Sequence, residues 1–268
     1  MKSRFFLPLT IILFNLFFAT DIFSQCNNAD FETGNFTGWS GTYSTCALLG
    51  GCTATAGFQQ GAINAAANDN NSHHIMTGGF DATVGGTLLP QVCPFGGTTS
   101  IRLGNAATNS GPETVSYSFV VNASTTNFTY YYAVVLDASA THSAAEQPFF
   151  NIRLTVGGTS VACAQYDVNT TSSGNIGGFT TTNNALWKPW TAVTIPLQNY
   201  IGQTVNITFT TRDCAPLGNP GGHYAYAYID ASCSTLQIIP SAPAVCPGQT
   251  VSLTAPAGNS TYAWTGPT

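Results

Sequence analysis

Short segments in which every second residue is apolar recur along this chain, and turn-forming residues separate them. One of these segments carries its apolar side chains at Val115, Tyr117, Phe119 and Val121. Similar segments run through residues 128–136, 149–156, 161–166, 190–197, 205–211 and 223–229. Because successive side chains of a β-strand point to opposite faces, this period of two predicts half-buried strands. Many short strands separated by Gly, Asn and Pro predict an all-β fold, an antiparallel β-sandwich.

The N-terminus has the layout of a secretory signal peptide. Lys2 and Arg4 precede an apolar run over residues 5–19, which small and polar residues follow. This run is shorter than the ~20 apolar residues that span a bilayer. We therefore expect cleavage ahead of Gln25, and a secreted or cell-surface protein with no membrane insertion after cleavage. A lipoprotein signal also ends just before a cysteine, and Cys26 holds that position, but Gln25 is a poor residue in front of it.

The mature chain is acidic and poor in charged residues. Signal cleavage removes two of the six basic residues and one of the eleven acidic residues, which leaves a net charge of about −6. Four scattered cations cannot neutralise a run of phosphates, so we expect no nucleic-acid partner. Anionic membrane surfaces are disfavoured for the same reason.

The character of the sequence changes after Cys233, where a linker with prolines begins. A new alternating pattern follows at Val251 and Leu253, and Tyr262 and Trp264 come after a Gly-Asn turn. A sandwich of immunoglobulin type needs ~100 residues, and only about 34 remain here. We therefore expect three parts: a signal peptide over residues 1–24, a β-sandwich domain over 25–234, and a linker with an incomplete second sandwich over 235–268.

All eight cysteines lie beyond the signal peptide. An even number of cysteines in an exported chain indicates disulfides. The sequence contains no CxxC pair, which is the spacing that would indicate a zinc site. Eight cysteines allow 105 pairings, so the sequence alone fixes none of them. If the first and last strands of the domain are neighbours, Cys26 and Cys233 form the first pair to test. The second candidate pair is Cys163 with Cys214.

Two acidic motifs bracket the domain, ADFETGNFTGW at residues 29–39 and GGHYAYAYIDASC at residues 221–233. Their carboxylates, which we name the acidic bracket, are Asp30, Glu32 and Asp230. The first and last strands of a β-sandwich often lie side by side, so we expect these carboxylates to converge on one cation. Calcium prefers such oxygen ligands, together with amides, backbone carbonyls and water. The alternative is that all three are turn, strand-end or solvent-facing acids.

The segment CPGQTVSLTAPAGNSTYAWTGP at residues 246–267 resembles the Ig-like or PKD-like repeats of long secreted bacterial adhesins. The first domain resembles the one that often opens such proteins, in the segments DFETGNFTGW, LPQVCPFGGTTSIRLGN, THSAAEQPFFNIRL and DCAPLGNPGGHYAYAYIDASC. This resemblance implies a non-catalytic adhesion protein that binds a glycan or a surface protein, with the later repeats as a stalk. It implies nothing about the oligomeric state.

The acidic bracket is also similar to that of carbohydrate-binding jelly rolls, in which an N-terminal FE and a late YID hold a structural calcium ion. This second resemblance implies a jelly-roll sandwich with Glu32 and Asp230 as calcium ligands. MAM domains share the acidic start and the late acidic residue before a cysteine. The resemblance also implies an alternative function, a carbohydrate-binding module of a secreted polysaccharide-degrading enzyme. The chain departs from the sugar-binding families in its many cysteines and its lack of an aromatic platform motif.

A few residues stand out as candidate ligand contacts. Aromatic side chains on loops stack on the apolar faces of sugars, and Trp187 and Trp190 are candidates of this kind. We expect Trp187 to be the leading one. His142 and Glu146 in THSAAEQP form the best polar cluster, because loops of this kind often carry function.

The remaining motifs favour structural roles. Tyr224, Tyr226 and Tyr228 line one face of a strand, as core residues or a cross-strand ladder do. Arg102 and Arg153 lie in apolar strand sequence, where a buried charge needs a carboxylate partner, so we expect internal ion pairs. None of the four histidines has metal-ligand spacing. GxSxG is absent and no Ser, His and Asp set stands out, so we expect no enzyme.

Overall fold

The computed structural model describes residues 26–47, 51–107, 111–137, 143, 146–169, 176–214, 222–234, 239–240, 250 and 253–254. The signal peptide predicted over residues 1–24 lies outside these ranges. Within them, no helix is long and apolar enough to cross a membrane.

Strands make up nearly all of the regular structure, as the alternating sequence predicts. They are β1 (Trp39–Ala47), β2 (Gly51–Ala56), β3 (His73–Met76), β4 (Ser100–Gly104), β5 (Glu113–Val120), β6 (Asn127–Leu136), β7 (Phe149–Val156), β8 (Thr159–Ser160), β9 (Tyr166–Asn169), β10 (Thr180–Thr182), β11 (Ala185–Pro196), β12 (Thr204–Arg212), β13 (Ala225–Ser234), β14 (Ile239–Pro240) and β15 (Leu253–Thr254). Two short 3-10 helices, Ala162–Ala164 and Gln198–Tyr200, accompany them in the described residues.

Two antiparallel sheets form the domain. Sheet I has the order β2-β1-β5-β12-β7-β8, and β9 also pairs with β7. Sheet II has the order β10-β11-β6-β13-β4-β3. The consecutive strands β5, β6 and β7 alternate between the two sheets, and so do β11, β12 and β13, so the chain crosses the sandwich repeatedly. The predicted antiparallel jelly-roll β-sandwich is therefore confirmed.

The main core lies between the sheets. In β12, Val205, Ile207 and Phe209 are buried, whereas the residues that alternate with them are polar and face outward. In β6 all ten residues are buried, because sheet II is covered on its outer side as well. The chain between β3 and β4, residues 77–99, provides much of this cover, and we name it the covering segment. Its buried apolar residues pack against the outer face of sheet II.

A disulfide joins the two ends of the domain. Cys26 and Cys233 are 207 residues apart and are bonded, with their Cα atoms 5.6 Å apart. The predicted pairing is therefore confirmed, and it links the segment before β1, in sheet I, to β13, in sheet II. Cys52 on β2 is also disulfide-bonded, and the strand register places its backbone opposite that of Cys46.

The predicted bond between Cys163 and Cys214 is wrong, because Cys214 is a free, buried thiol. Cys214 follows Arg212, which pairs with Phe149 at the start of β7. Cys163 lies in the short helix Ala162–Ala164. The residue just before this helix, Val161, donates its N–H to the carbonyl of Leu154 on β7. At about 3.3 Å per residue, these two points on β7 lie about 17 Å apart. A disulfide requires Cα atoms within about 7 Å of each other.

The chain after β13 contributes one short antiparallel pair, β14 with β15. Most of the predicted linker and second sandwich lies outside the described residues. The domain boundaries and the Ig-like or PKD-like repeat therefore stay predictions.

Candidate functional site

The start of the acidic bracket is built around a residue in an uncommon conformation. Phe31 is fully buried and has a φ angle of 56°, which is rare for a bulky side chain. Its ring stacks on that of Trp39, with the centroids 4.5 Å apart. This anchored turn leaves Asp30 half-buried and Glu32 exposed on either side of Phe31.

Glu32 holds the end of the covering segment. Its Oε1 accepts the backbone N–H groups of Thr98 and Thr99 at 2.7 and 2.8 Å. Its Oε2 accepts the hydroxyl of Thr98 at 2.8 Å. Gly97 has a φ angle of 67° and no side chain, and a Cβ atom there would collide with Oε1. Glu32 therefore acts as a clamp on the covering segment.

Asp230 lies on β13 and is 3% exposed. Ser100 donates its hydroxyl to Oδ2 at 3.1 Å, and the N–H of Ala231 donates to Oδ1 at 2.7 Å. Burial raises the pKa of Asp230 to about 8, and the negative charges of Asp30 and Glu32 act in the same direction. A carboxyl group in these surroundings keeps its proton at neutral pH unless a cation compensates its charge.

The bracket residues thus influence one another electrostatically. The expectation that the first and last strands are neighbours in one sheet is wrong, because β1 lies in sheet I and β13 in sheet II. Among the described residues, however, no group of three or more His, Cys, Asp or Glu side chains is placed to hold a metal ion. The bracket fits calcium only in part, because Glu32 already accepts three hydrogen bonds. Calcium stays a prediction, and Asp230 is the carboxylate whose buried charge a cation would stabilise most.

Trp187 does not lie on a loop. It belongs to β11 and is 8% exposed, and its Nε1–H donates to Thr182 Oγ1 at 3.1 Å. Trp190 is also buried, and its Nε1–H donates to the carbonyl of Pro90 in the covering segment at 2.8 Å. Both rings belong to the cluster on the outer face of sheet II. The expectation that Trp187 is an exposed aromatic residue on a loop is therefore wrong, because strand pairing and the covering segment enclose the rings of both Trp187 and Trp190.

The Glu146 carboxylate accepts hydrogen bonds from Ser143. Its Oε2 accepts the backbone N–H of Ser143 at 2.8 Å and the hydroxyl of the same residue at 2.6 Å. His142 lies outside the described residues. The predicted polar cluster of His142 and Glu146 therefore stays a prediction.

Arg102 is a fully buried cation on the outer face of sheet II. It donates to the carbonyls of Ala65 and Ala66 at 2.6 and 3.1 Å, and to Nδ1 of His74 at 3.1 Å. Because Nδ1 accepts this bond, the proton of His74 lies on Nε2, which faces Asp69 Oδ1 at 3.0 Å. Burial lowers the pKa of His74 to about 4, and the charge of Arg102 acts in the same direction. Carbonyls and a neutral histidine thus take the place of the expected carboxylate partner.

A buried carboxylate fixes the covering segment to sheet II. The hydroxyls of Tyr226 and Tyr228 donate to Asp81 Oδ2 at 2.8 and 2.7 Å, and the N–H of Val84 donates to Oδ1 at 2.8 Å. Asp81 and both tyrosines are at most 1% exposed. These tyrosines are core residues, as the sequence favours, and the covering segment closes this part of sheet II.

Two free thiols in the described part of the chain, Cys93 and Cys214, are poorly suited to nucleophilic chemistry. Burial raises the pKa of Cys93 to about 12, and it also raises the pKa of Cys214. The Sγ of Cys214 lies 3.6 Å from Nδ1 of His223. Nucleophilic cysteines need a lowered pKa, so neither thiol indicates catalysis.

The outer face of sheet I is open and carries short polar side chains. The hydroxyls of Thr42 and Thr114 are 2.7 Å apart, and those of Ser116 and Thr208 are 2.8 Å apart. The strand register aligns one outward residue from each of β1, β5, β12, β7 and β9, namely Thr42, Thr114, Thr210, Asn151 and Asp167. We name this line the polar row. At about 4.8 Å between neighbouring strands, it spans about 19 Å.

The polar row ends in a groove of about 370 Å³ near the edge of sheet I, which we name the polar groove. Its walls come from β7, β9 and β12 and consist of Phe149, Phe150, Asn151, Asp167, Val168, Asn169 and Arg212. The guanidinium of Arg212 lies 4.5 Å from the centroid of the Phe149 ring. Arg153, the next outward residue of β7 after Asn151, forms an ion pair with Asp167. Its predicted ion pair exists, but on the exposed face of sheet I.

The sequence pattern does not single out Phe149, Asn151, Asp167 or Asn169. Their alternation with buried residues is visible in the predicted strand over residues 149–156. The missing information is the pairing of β7 with β9, which sets Asn151 opposite Asp167 and Phe149 opposite Asn169. A useful signal would have been polar and aromatic residues at the outward positions of two strands that are close in sequence.

No protein-family model matches the sequence, and no curated protein matches it either. Among solved structures, the chain is similar to a family 61 carbohydrate-binding module in complex with β-1,4-galactotriose, with 11% identity and a TM-score of 0.37 over 78% of this chain and 96% of that chain. It is also similar to a family 35 carbohydrate-binding module from Clostridium thermocellum, with 15% identity and a TM-score of 0.21 over 59% of this chain and 90% of that one.

A third similar structure is the enzymatically active domain of tailspike protein 4 from bacteriophage CBA120. The identity is 10% and the TM-score 0.35, over 78% of this chain and 21% of the tailspike chain. These likenesses are too weak to assign the chain to a family or to indicate its ligand. The fold described above rests on the chain's own strand pairing.

Proposed function

We propose that this protein is an exported carbohydrate-binding module and that the polar groove on sheet I holds the sugar. The observation that carries the proposal is the composition of this open groove. It combines the aromatic ring of Phe149 with the amides of Asn151 and Asn169 and the carboxylate of Asp167. Sugars offer an apolar ring face together with hydroxyls that both donate and accept, and this set of groups suits both.

Each type of side chain in the groove has a distinct part in binding. The Phe149 ring and the guanidinium of Arg212 form a stacked surface against which the apolar face of a pyranose packs. The amide groups both donate and accept hydrogen bonds, and Asp167 accepts them. The pair of Arg153 and Asp167 is 45% and 65% exposed, and exposed pairs of this kind contribute little to stability. Its groups are therefore accessible to sugar hydroxyls.

The groove is built on strands rather than on loops. β7 pairs with β9 on one side and with β12 on the other. Backbone hydrogen bonds of both ladders fix the relative positions of the lining residues before a ligand arrives. A site that is already ordered loses less conformational freedom on binding, which favours affinity.

Both functions implied by the sequence, an adhesin and a module of a polysaccharide-degrading enzyme, share this binding step. We give the carbohydrate-binding module priority over the adhesin. The polar groove is a concave site of small-molecule size. A protein ligand would instead need a contact surface of about 800 Å² on each partner, with an apolar centre. The domain that accompanies the module in the full protein would distinguish the two.

A glycan array probed with the mature chain tests the proposal. We expect binding to at least one class of polysaccharide, and we expect Phe149→Ala or Asn151→Ala to lower the affinity at least about tenfold, because each removes a direct contact. Thr204→Ala is the matched control, since Thr204 faces outward on β12 away from the groove. Thermal melting would verify that the variants fold.

Two outcomes would contradict the proposal. One is a wild-type protein that binds no glycan on the array. The other is a groove variant that melts like the wild type and binds with the affinity of the Thr204→Ala control.

A further inference from the structure

The polar groove is one end of a longer surface, and we propose that this surface binds an internal stretch of an extended, neutral polysaccharide chain laid across the strands from β9 to β1. The inference rests on the proposed function, because it names the ligand class of the same site. The contact surface for this chain is the polar row, which continues from the groove through Thr210, Thr114 and Thr42. We call this surface the track. Each step crosses to a neighbouring strand of sheet I.

The track is regular because strand pairing sets its spacing. Side chains of the polar row recur about every 4.8 Å over about 19 Å. A chain of linked sugars also repeats its hydroxyl groups along its length. One row can therefore contact several consecutive sugar units, whereas the groove alone has room only for a short ligand.

The track is also ordered in the free protein. The hydroxyls of Thr42 and Thr114 are hydrogen-bonded to each other across β1 and β5. In the adjacent line, Ser116 and Thr208 are bonded across β5 and β12. A β-branched threonine whose hydroxyl is hydrogen-bonded has few accessible rotamers. Binding a polysaccharide chain therefore costs these side chains little conformational entropy.

The charge of the track favours a neutral chain. Of the five residues in the polar row only Asp167 is ionisable, and its charge is paired with that of Arg153. The stretch through Thr210, Thr114 and Thr42 carries no cation to meet repeated carboxylates or sulfates. The mature protein also has a net charge of about −6, which repels polyanions at long range.

Among the described residues, none closes off the end of the row on β1. The register continues from Thr42 to Ala56 on β2, and Ala56 is exposed and small. A chain that follows the row can therefore pass over this edge of sheet I. This geometry suits an internal stretch of polysaccharide better than a chain end, which would need a closed pocket.

Calorimetric titration of the mature chain tests the inference. The probes are di-, tetra- and hexasaccharides of β-1,4-linked glucose, xylose, mannose and galactose. For at least one series, we expect the Kd to fall at least about tenfold from disaccharide to hexasaccharide. Thr114→Val and Thr210→Val keep the side-chain shape and remove one hydroxyl each. We expect each to weaken hexasaccharide binding roughly threefold to tenfold, as loss of one hydrogen bond does, and disaccharide binding by less.

The matched control is Thr204→Val, which makes the same change on β12 outside the row. Equal affinities for disaccharide and hexasaccharide would overturn the inference and leave the proposed function intact. A length dependence that Thr114→Val and Thr210→Val affect no more than Thr204→Val would also overturn it, because the chain would then lie elsewhere. A wild-type protein that binds none of these probes and no glycan on the array would contradict both the inference and the proposed function.

Discussion

The outer faces of the two sheets both carry polar side chains, but in opposite surroundings. On sheet II, His74 and Arg102 are fully buried among the residues that cover the sheet. On sheet I, Thr114 and Thr210 are partly open to solvent, and Asp167 is exposed. The comparison shows that polar outward positions on a strand indicate a binding surface only where no other part of the chain covers them.

Burial decides which partners the polar groups must find. A buried polar group without a hydrogen bond is costly, so the groups on sheet II have their partners inside the protein. These partners specify where the covering segment lies, as Asp81 does through two tyrosine hydroxyls. On sheet I, the polar groups that have no hydrogen bond to a neighbouring hydroxyl can bond to water, and a ligand can replace that water.

The largest effect is expected from breaking the anchor on sheet II. Asp81→Ala leaves the hydroxyls of Tyr226 and Tyr228 and the N–H of Val84 without their acceptor in a buried site. We expect the free energy of unfolding to fall by about 3–5 kcal/mol, as when a buried polar network loses one partner. Urea unfolding of the mature chain measures this change.

The control for Asp81→Ala is Thr210→Ala on the outer face of sheet I. Substitutions at open surface positions usually change stability by less than about 0.5 kcal/mol. Similar losses in the two variants would show that the two faces do not differ in the way that their burial indicates.

A second effect is expected on acidification, again from sheet II. Burial lowers the pKa of His73 and of His74 to about 4, from 6.5 for an ordinary histidine. Between pH 6.5 and 4 the unfolded chain therefore binds more protons than the folded chain. The stability due to the neutral histidines is complete above pH 6.5 and is lost as the pH falls through 4. For His74 alone, the shift corresponds to on the order of 3 kcal/mol.

Urea unfolding between pH 7 and 4.5 measures this loss. Burial also raises the pKa of Glu113, so acid stabilises that site, and the histidine effect has to be isolated with a variant. We expect His74→Gln to be less stable than the wild type at pH 7 and the difference to shrink towards pH 4.5. A difference that does not change with pH would mean that His74 is not held neutral by the fold.

The strands could be predicted from the sequence because alternation is a local property. Segments such as residues 149–156 and 205–211 show the period of two directly, and both form strands in the sandwich. The disulfide of Cys26 with Cys233 was predicted by placing the end strands side by side, and the bond forms although β1 and β13 lie in different sheets. The failed pairing of Cys163 with Cys214 needed the register of β7, which the sequence does not contain.

The functional surfaces could not be predicted in the same way, because they depend on what covers each sheet. The covering segment has weak periodicity, so its path over sheet II is set by tertiary contacts such as the clamp at Glu32. The burial of Trp187 and the solvent exposure of Asn151 could therefore not be predicted from the sequence. Local patterns report which residues share a face of a strand, but not whether that face meets solvent.

The smallest of the three effects concerns Asp230, another buried polar residue on the outer face of sheet II. Within the described residues, the Asp230 carboxyl group accepts two hydrogen bonds, one from the hydroxyl of Ser100 and one from the N–H of Ala231. Arg102 has more partners, since it donates to two carbonyls and to His74. A calcium ion would compensate its charge. At a hundredfold excess over Kd, such binding stabilises a protein by about 2.7 kcal/mol, which is about 5–10 °C in Tm for a domain of this size. Chelation of the mature protein should therefore lower the Tm by about this amount, and added calcium should restore it.

Asp230→Asn supplies the control for the chelation experiment. Asparagine keeps the size of the side chain, and its amide can accept the N–H of Ala231 while it donates to the hydroxyl oxygen of Ser100, but it carries no charge for a cation. With calcium at the acidic bracket, the variant should melt at the same temperature with and without chelator. A wild-type Tm that does not respond to chelator would remove calcium from the bracket. Glu32 would then be a clamp for the covering segment, and Asp230 a buried neutral acid whose hydrogen bonds suffice, like those of the other polar groups on sheet II.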